Sequence, residues 1–145
     1  RFSRTRDQMV QAARSCKQNI AEGSQASGTS KKTELKLIGV ARASLEELLC
    51  DYQDWLRTHG HPLWEKDSSK AKFIRKLCFR ANRSYTTYSP YIEEKPAQTA
   101  ANTLICVSHQ TNFLLDRLLR QLERTFAEEG GLTERLYRVR SRTRQ

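Results

Sequence analysis

The chain has 145 residues, enough for one domain whose apolar core needs neither disulfides nor a structural metal. Hydrophobic residues make up 37% and charged residues 29%, with 6 Gly and 3 Pro, which excludes a collagenous or low-complexity chain and favours helices. A formal charge of +10 and a pI near 9.8 draw the chain toward polyanions, although nucleic acid, anionic lipid and acidic proteins all remain open on charge alone.

Residues 2–22 place Met9, Ala13, Cys16 and Ile20 on one helical face, with Arg4, Asp7, Gln11, Arg14 and Gln18 on another. Gly23 reads as the stop of this amphipathic helix. A small polar connection follows, and Ser30 is suited to cap the next helix near Lys31. From there to His59, the spacing of Ile38, Ala41, Leu45, Leu48, Tyr52 and Trp55 predicts a second helix with one sustained apolar stripe. Gly60 and Pro62 end it in a corner.

Asp67 or Ser68 caps a shorter predicted helix to about Arg80, with Phe73, Leu77 and Ile74 toward the core. Residues 81–94 are rich in Asn, Ser, Thr and Tyr, and Pro90 argues for an extended connection. Pro96 then suits the first turn of a long last helix, which runs to about Glu129 on Ala97, Ala101, Leu104, Leu115, Leu118 and Leu122. Gly130-Gly131 punctuate its end, and residues 132–145 form a basic C-terminal tail or short helix. The expected fold is therefore all-α: an up-and-down antiparallel four-helix bundle in a single domain over 1–131, followed by the tail at 132–145.

No apolar run approaches the roughly 20 residues that span a bilayer, and Arg1-Phe2-Ser3-Arg4 is no signal-peptide hydrophobic region, so a cytoplasmic protein is expected. Cys16, Cys50, Cys78 and Cys106 lie far apart within apolar patterns and read as buried, reduced thiols. His59, His61 and His109 accompany no phosphate loop, zinc motif or nucleophile elbow, so neither enzyme activity, a metal nor a cofactor is expected. A hydrolase or nuclease reading would rest on Glu46, Glu47, Asp51 and Asp54 holding a divalent ion, yet their helical positions spread around more than one face.

The charge is segregated along the chain. Residues 66–83 carry Lys66, Lys70, Lys72, Arg75, Lys76, Arg80 and Arg83 against the single acid Asp67, whereas 43–65 hold five acids and only Arg57. Such a cluster matches a polyphosphate, and nearby Tyr85, Tyr88 and Tyr91 are candidates to stack on unpaired bases; the alternative is a solvated basic face with tyrosines pinned against the bundle. Arg1, Arg4, Arg6 and Arg14 form a second basic patch, and Arg135, Arg138, Arg140, Arg142 and Arg144 extend the surface or keep a tail soluble. Binding is expected to be backbone-dominated, because no helix-turn-helix, zinc finger or RNA-recognition signature is present.

Two blocks carry a resemblance. Residues 8–23, with Ala12-Ala13, Ser15 and Asn19-Ile20-Ala21-Glu22-Gly23, and the later run Ala41-Arg42-Ala43-Ser44-Leu45-Glu46-Glu47-Leu48 resemble the four-helix-bundle proteins encoded in intervening sequences of large-subunit ribosomal RNA genes of bacteria. The resemblance covers about the first 60 residues and, more weakly, the long last helix; residues 62–95 look like the added suffix region of one variant. Against the family pattern, the helix that normally precedes the first block is expected to be missing or truncated. Asn19, Glu22, Gly23, Ser44 and Glu47 match the family motif, where a structural role at a helix end is expected. A relative of this family is the accessory variability protein of diversity-generating retroelements, a homopentamer that binds nucleic acid and its reverse transcriptase. The resemblance thus implies a non-enzymatic, homo-oligomeric accessory protein that binds nucleic acid, RNA before DNA, and assists a reverse transcriptase. The alternative is a protein-interaction scaffold of the same family with no direct nucleic-acid role.

Overall fold

A computed structural model describes residues 2–143, and among these it is all-helical. The helices are α1 (Phe2–Ala26), α2 (Lys31–Thr58), α3 (Ser69–Lys76) continued by a 3-10 turn (Leu77–Phe79), α4 (Tyr85–Ile92), α5 (Ala97–Glu129) and α6 (Leu132–Thr143). Helix α2 packs against both α1 and α5, and α3 and α4 cover α5.

Helix α1 buries Ala12 and Cys16, with Met9 and Ile20 packed beside them. The expected face holds at Met9, Cys16 and Ile20 and differs at one position: Ala12 faces the core and the expected Ala13 is exposed. Gly23 does not stop the helix, which continues to Ala26. It is buried instead, and a Cβ there would stand 3.0 Å from Ile38 Cδ1, so its missing side chain lets α1 approach α2. The pairing of Ser15 with Ser44 (2.8 Å) and of Gly23 with Ile38 fixes α1 and α2 as antiparallel neighbours.

Ser30 caps α2 as expected, accepting from the Thr33 backbone N–H at 3.2 Å. Helix α2 buries more than the single predicted stripe. Ile38, Ala41, Leu45 and Leu48 join the core shared with α1 and with Leu115 and Leu122 of α5, while Leu49 and Leu56 pack on Ala101 and Ile105 of α5. Antiparallel α2 and α5 are also joined by Arg42, whose Nε donates to Asp116 at 2.8 Å and whose Nη1 donates to Glu46 at 2.7 Å; Asn112 Nδ2 reaches the same Glu46 carboxylate at 3.1 Å.

Gly60, at φ +68°, and Pro62 turn the chain out of α2 as predicted. Ser68 rather than Asp67 caps α3. On α3, Ala71, Ile74 and Leu77 are buried against Cys106, whereas Phe73, expected in the core, is 44% exposed. Residues 85–92 are helical, not extended: the Ser84 N–H donates to Thr87 Oγ1 at 3.1 Å, closing a capping box, and Pro90 sits inside the short helix at the cost of one ladder bond. Helix α5 departs from its expected stripe in the first half. Ala97 is exposed, and buried positions fall to Asn102, Thr103 and Ser108 alongside Ala101, Ile105 and Cys106. Gly130, at φ +72°, ends α5, and the basic C-terminal stretch is helical to Thr143.

The glycine contacts give opposite expectations within one helix pair. Gly23→Leu forces the buried Ile38 to move and is expected to cost about 1–3 kcal/mol of stability through overpacking. Gly39→Ala in α2, where a Cβ meets nothing within 4 Å, is expected to stabilise by roughly 0.5–1 kcal/mol through helix propensity. Denaturant midpoints that move in the same direction for both variants would contradict this packing.

Candidate nucleic-acid interface

Burial of Ala71, Ile74 and Leu77 on α5 fixes the roll of α3, and the basic positions between them are left outside. Lys66, Lys70, Lys72, Lys76, Arg80 and Arg83 are exposed, and Arg75 is half-buried. Lys72 reaches Asp67 at 3.7 Å, in a solvent-exposed pair worth little. Arg75 is engaged differently: its guanidinium donates to the Lys66 carbonyl and ties down the loop that enters α3. Lys66, Lys70, Lys76, Arg80 and Arg83 have no carboxylate partner among the described residues. Lys70 and Lys76 on a helix held by its apolar face, with Lys66, Arg80 and Arg83 in the flanking loops, can accept phosphates without first breaking internal ion pairs.

The tyrosines behave unequally. The Tyr85 ring is 61% exposed, and its hydroxyl donates to Glu93 at 2.6 Å, which pushes the phenol pKa up. Tyr88 and Tyr91 pack against Ala71, Ile74 and Leu77, and burial raises the pKa of Tyr88. Tyr88 is partly buried against this cluster, which includes Cys106 of α5, and so leaves less of its ring open than Tyr85 does. Tyr91 meets Phe73 edge-on at 5.4 Å between ring centroids.

One further aromatic group stands beside the cations and was not singled out by spacing. Trp64 lies in the loop before α3, with Lys70 Nζ 5.8 Å from its ring centroid. That loop is fixed by Asn102 of α5, 2% exposed, whose Oδ1 accepts from the Trp64 backbone N–H at 2.8 Å and whose Nδ2 donates to the carbonyls of Pro62 at 3.1 Å and Gln98 at 2.9 Å. The sequence signal available was a lone aromatic beside a basic run; its anchoring by a residue 38 positions away was not legible.

The second basic patch is thinner. Arg4, Arg6 and Arg14 are exposed on α1, but Arg4 shares an open groove between α1 and α2 with Asp7 and Glu47, which dilute its potential. Arg138 and Arg140 are exposed on α6; Arg1 and Arg144 lie outside the described residues. The family-motif positions divide as well. Asn19 donates to the Ser15 carbonyl at 2.8 Å and Ser15 bonds Ser44, giving a polar link between α1 and α2, while Glu22 and Glu47 are exposed. His59 and His61 stack on Trp55 at 4.5 and 5.7 Å between centroids. Of the four cysteines, all free, Cys16 and Cys106 are buried and burial raises their pKa values; Cys50 is exposed and Cys78 half-exposed, which corrects the expectation of four buried thiols.

No protein-family model, no curated protein and no solved structure matches the chain. On the acidic side of α2, Glu46 is held by Arg42 and Asn112, and Asp54 by Arg57 at 3.0 Å. No group of three or more His, Cys, Asp or Glu side chains able to hold a metal ion occurs among the described residues. No helix among them is long and apolar enough to cross a membrane.

Removing the loop anchor by Asn102→Ala leaves the Trp64 N–H and the Pro62 carbonyl without their partner, with an expected loss of about 2 kcal/mol or more; an unchanged denaturant midpoint would show that the loop is held by other means. Asp51 supplies a pH test. Desolvation, then the charges of Glu47 and Asp54, push its carboxyl above the usual range, so the folded state keeps this proton to higher pH than the unfolded chain. Stability from this group is therefore lost as pH rises from the unfolded value through the raised folded one. Asp51→Asn is expected to raise the unfolding midpoint at neutral pH, with the gain vanishing near about pH 3, where aspartate is largely protonated in both states. Thermal melts at the two pH values decide it.

Proposed function

We propose that this chain is a non-enzymatic, homo-oligomeric accessory protein of the bacterial cytoplasm that binds nucleic acid, RNA in preference to DNA, through the cations of the α3–α4 segment. The observation that carries this reading is the set Lys66, Lys70, Lys76, Arg80 and Arg83, none paired with a carboxylate among the described residues, while Glu46 and Asp116 engage Arg42 and Asp54 engages Arg57. In the bundle we infer, α1, α2 and α5 form three members of an up-and-down arrangement, and the pair α3 and α4 stands beside α5 as the suffix-type insertion. Adjacent Phe113 and Leu114, 58% and 61% exposed on α5, support self-association, for which the family resemblance suggests a pentamer. A ring of subunits would multiply modest phosphate contacts into avidity for one strand. A reverse transcriptase of a diversity-generating retroelement is the protein partner that the resemblance suggests.

The same exposed pair on α5 favours a second reading, a protein-interaction scaffold of the ribosomal intervening-sequence family that docks its partner there without using the cations.

Affinity for a labelled single-stranded RNA should fall steeply with salt: five engaged cations correspond to a slope of about −3.5 in log K against log salt. Arg80→Ala with Arg83→Ala should lower affinity across sequences and flatten that slope by about 1.4. A salt-independent affinity, or no binding at low salt in a correctly folded protein, leaves the scaffold reading. Native mass spectrometry of the same sample counts the protomers.

A further inference from the structure

Beside the cations lies an open cleft of about 440 Å³. Trp64, Phe73 and Tyr91 supply its rings, Ser69 and Thr99 its hydroxyls, and Lys70 its charge. No carboxylate lines it, so an anionic ligand meets no repulsion at the walls. Phe73 is the telling residue. It occupies an α3 position next to buried Ile74, yet 44% of it faces solvent, with only an edge contact to Tyr91 recorded among rings. Trp64 is partly buried, and the Asn102 anchor holds its loop in place.

We propose that this cleft takes one unpaired nucleobase of a single-stranded RNA, stacked on the Phe73 and Trp64 rings, with the adjoining phosphate on Lys70. The proposal rests on the reading of the α3–α4 cations as a phosphate-binding surface and adds to it a reason for single strands. A base held in a duplex cannot leave its stack without unpairing, whereas an unpaired base offers both faces to aromatic side chains. Duplexes bind the cations alone. Ser69 and Thr99 can each donate or accept a hydrogen bond, so they tolerate different base edges and predict weak sequence preference.

The experiment uses the full chain and four probes: a 12-nucleotide RNA strand, the same strand with one internal 2-aminopurine, its RNA duplex, and the DNA strand of the same sequence. Binding should change the 2-aminopurine fluorescence, and the single RNA strand should bind more tightly than the duplex. Phe73→Ala, at an exposed position that leaves the α3 core intact, should weaken single-strand binding by about tenfold, the worth of one base stack, while duplex affinity and the salt slope stay unchanged. Phe73→Trp should restore the preference. If single strand and duplex both bind and Phe73→Ala affects neither, or affects both equally, the cleft proposal falls and the phosphate surface survives. If neither binds at low salt, the phosphate reading fails and the cleft proposal with it. Equal affinity for the DNA strand overturns the commitment to RNA. An oligomer that dissociates on Phe73→Ala assigns the cleft to a second copy of the chain and overturns the proposal.

Discussion

Helix α2 has to bury apolar side chains in two directions at once: Ala41, Leu45 and Leu48 enter the core shared with α1 and α5, and Leu49 and Leu56 meet the first half of α5. A helix whose apolar surface is this wide is stable only when flanked, so α1 and α5 are each committed to one side of it. The helix pairs also lock in register. Gly23 allows close approach on the α1 side, and Arg42 spans Asp116 and Glu46 on the α5 side. Because α5 is held in this way, its remaining face becomes the platform on which α3 and α4 are laid.

That platform determines where charge ends up. Glu46 and Asp116 on the α2–α5 seam are engaged internally by Arg42, with the Asn112 amide also on Glu46, whereas Glu47 remains exposed. Ala71 and Ile74 of α3, with Leu77 just beyond it, are buried against Cys106 of α5, and the Arg75 carbonyl accepts from Gln110 of α5 at 3.1 Å, while the α3 lysines face water, Lys72 with Asp67 as a weak partner and Lys70 beside the Trp64 ring. The segment 66–83 thus keeps most of its positive charge unneutralised, which, beside the exposed arginines of α1 and α6, turns a compositional excess into a local field.

Asn102 connects these two levels. A 2% exposed amide on α5 would cost stability if left unpaired, and it avoids this by bonding the loop at Pro62 and Trp64. The same bonds hold an indole next to Lys70 and at the wall of an aromatic cleft. A structural requirement of the buried amide thereby fixes the loop that carries the Trp64 ring.

The sequence by itself determined the helical class, the positions of the long helices, the Ser30 cap, the Gly60 corner and the segregation of basic from acidic residues, because these follow from local spacing, turn chemistry and composition. It misplaced features that depend on what lies opposite. Ala12 rather than Ala13 faces the core, and Gly23 is a contact rather than a stop, since either alanine satisfies the local period and only α2 selects between them. The tyrosine-rich run 85–92 is a helix because its capping box and its seat on α5 outweigh one proline. Only the tertiary structure decided which cations stay unpaired and which rings are open. Those outcomes are set by side chains dozens of residues apart, Arg42 with Asp116 and Trp64 with Asn102, whose meeting no local pattern encodes.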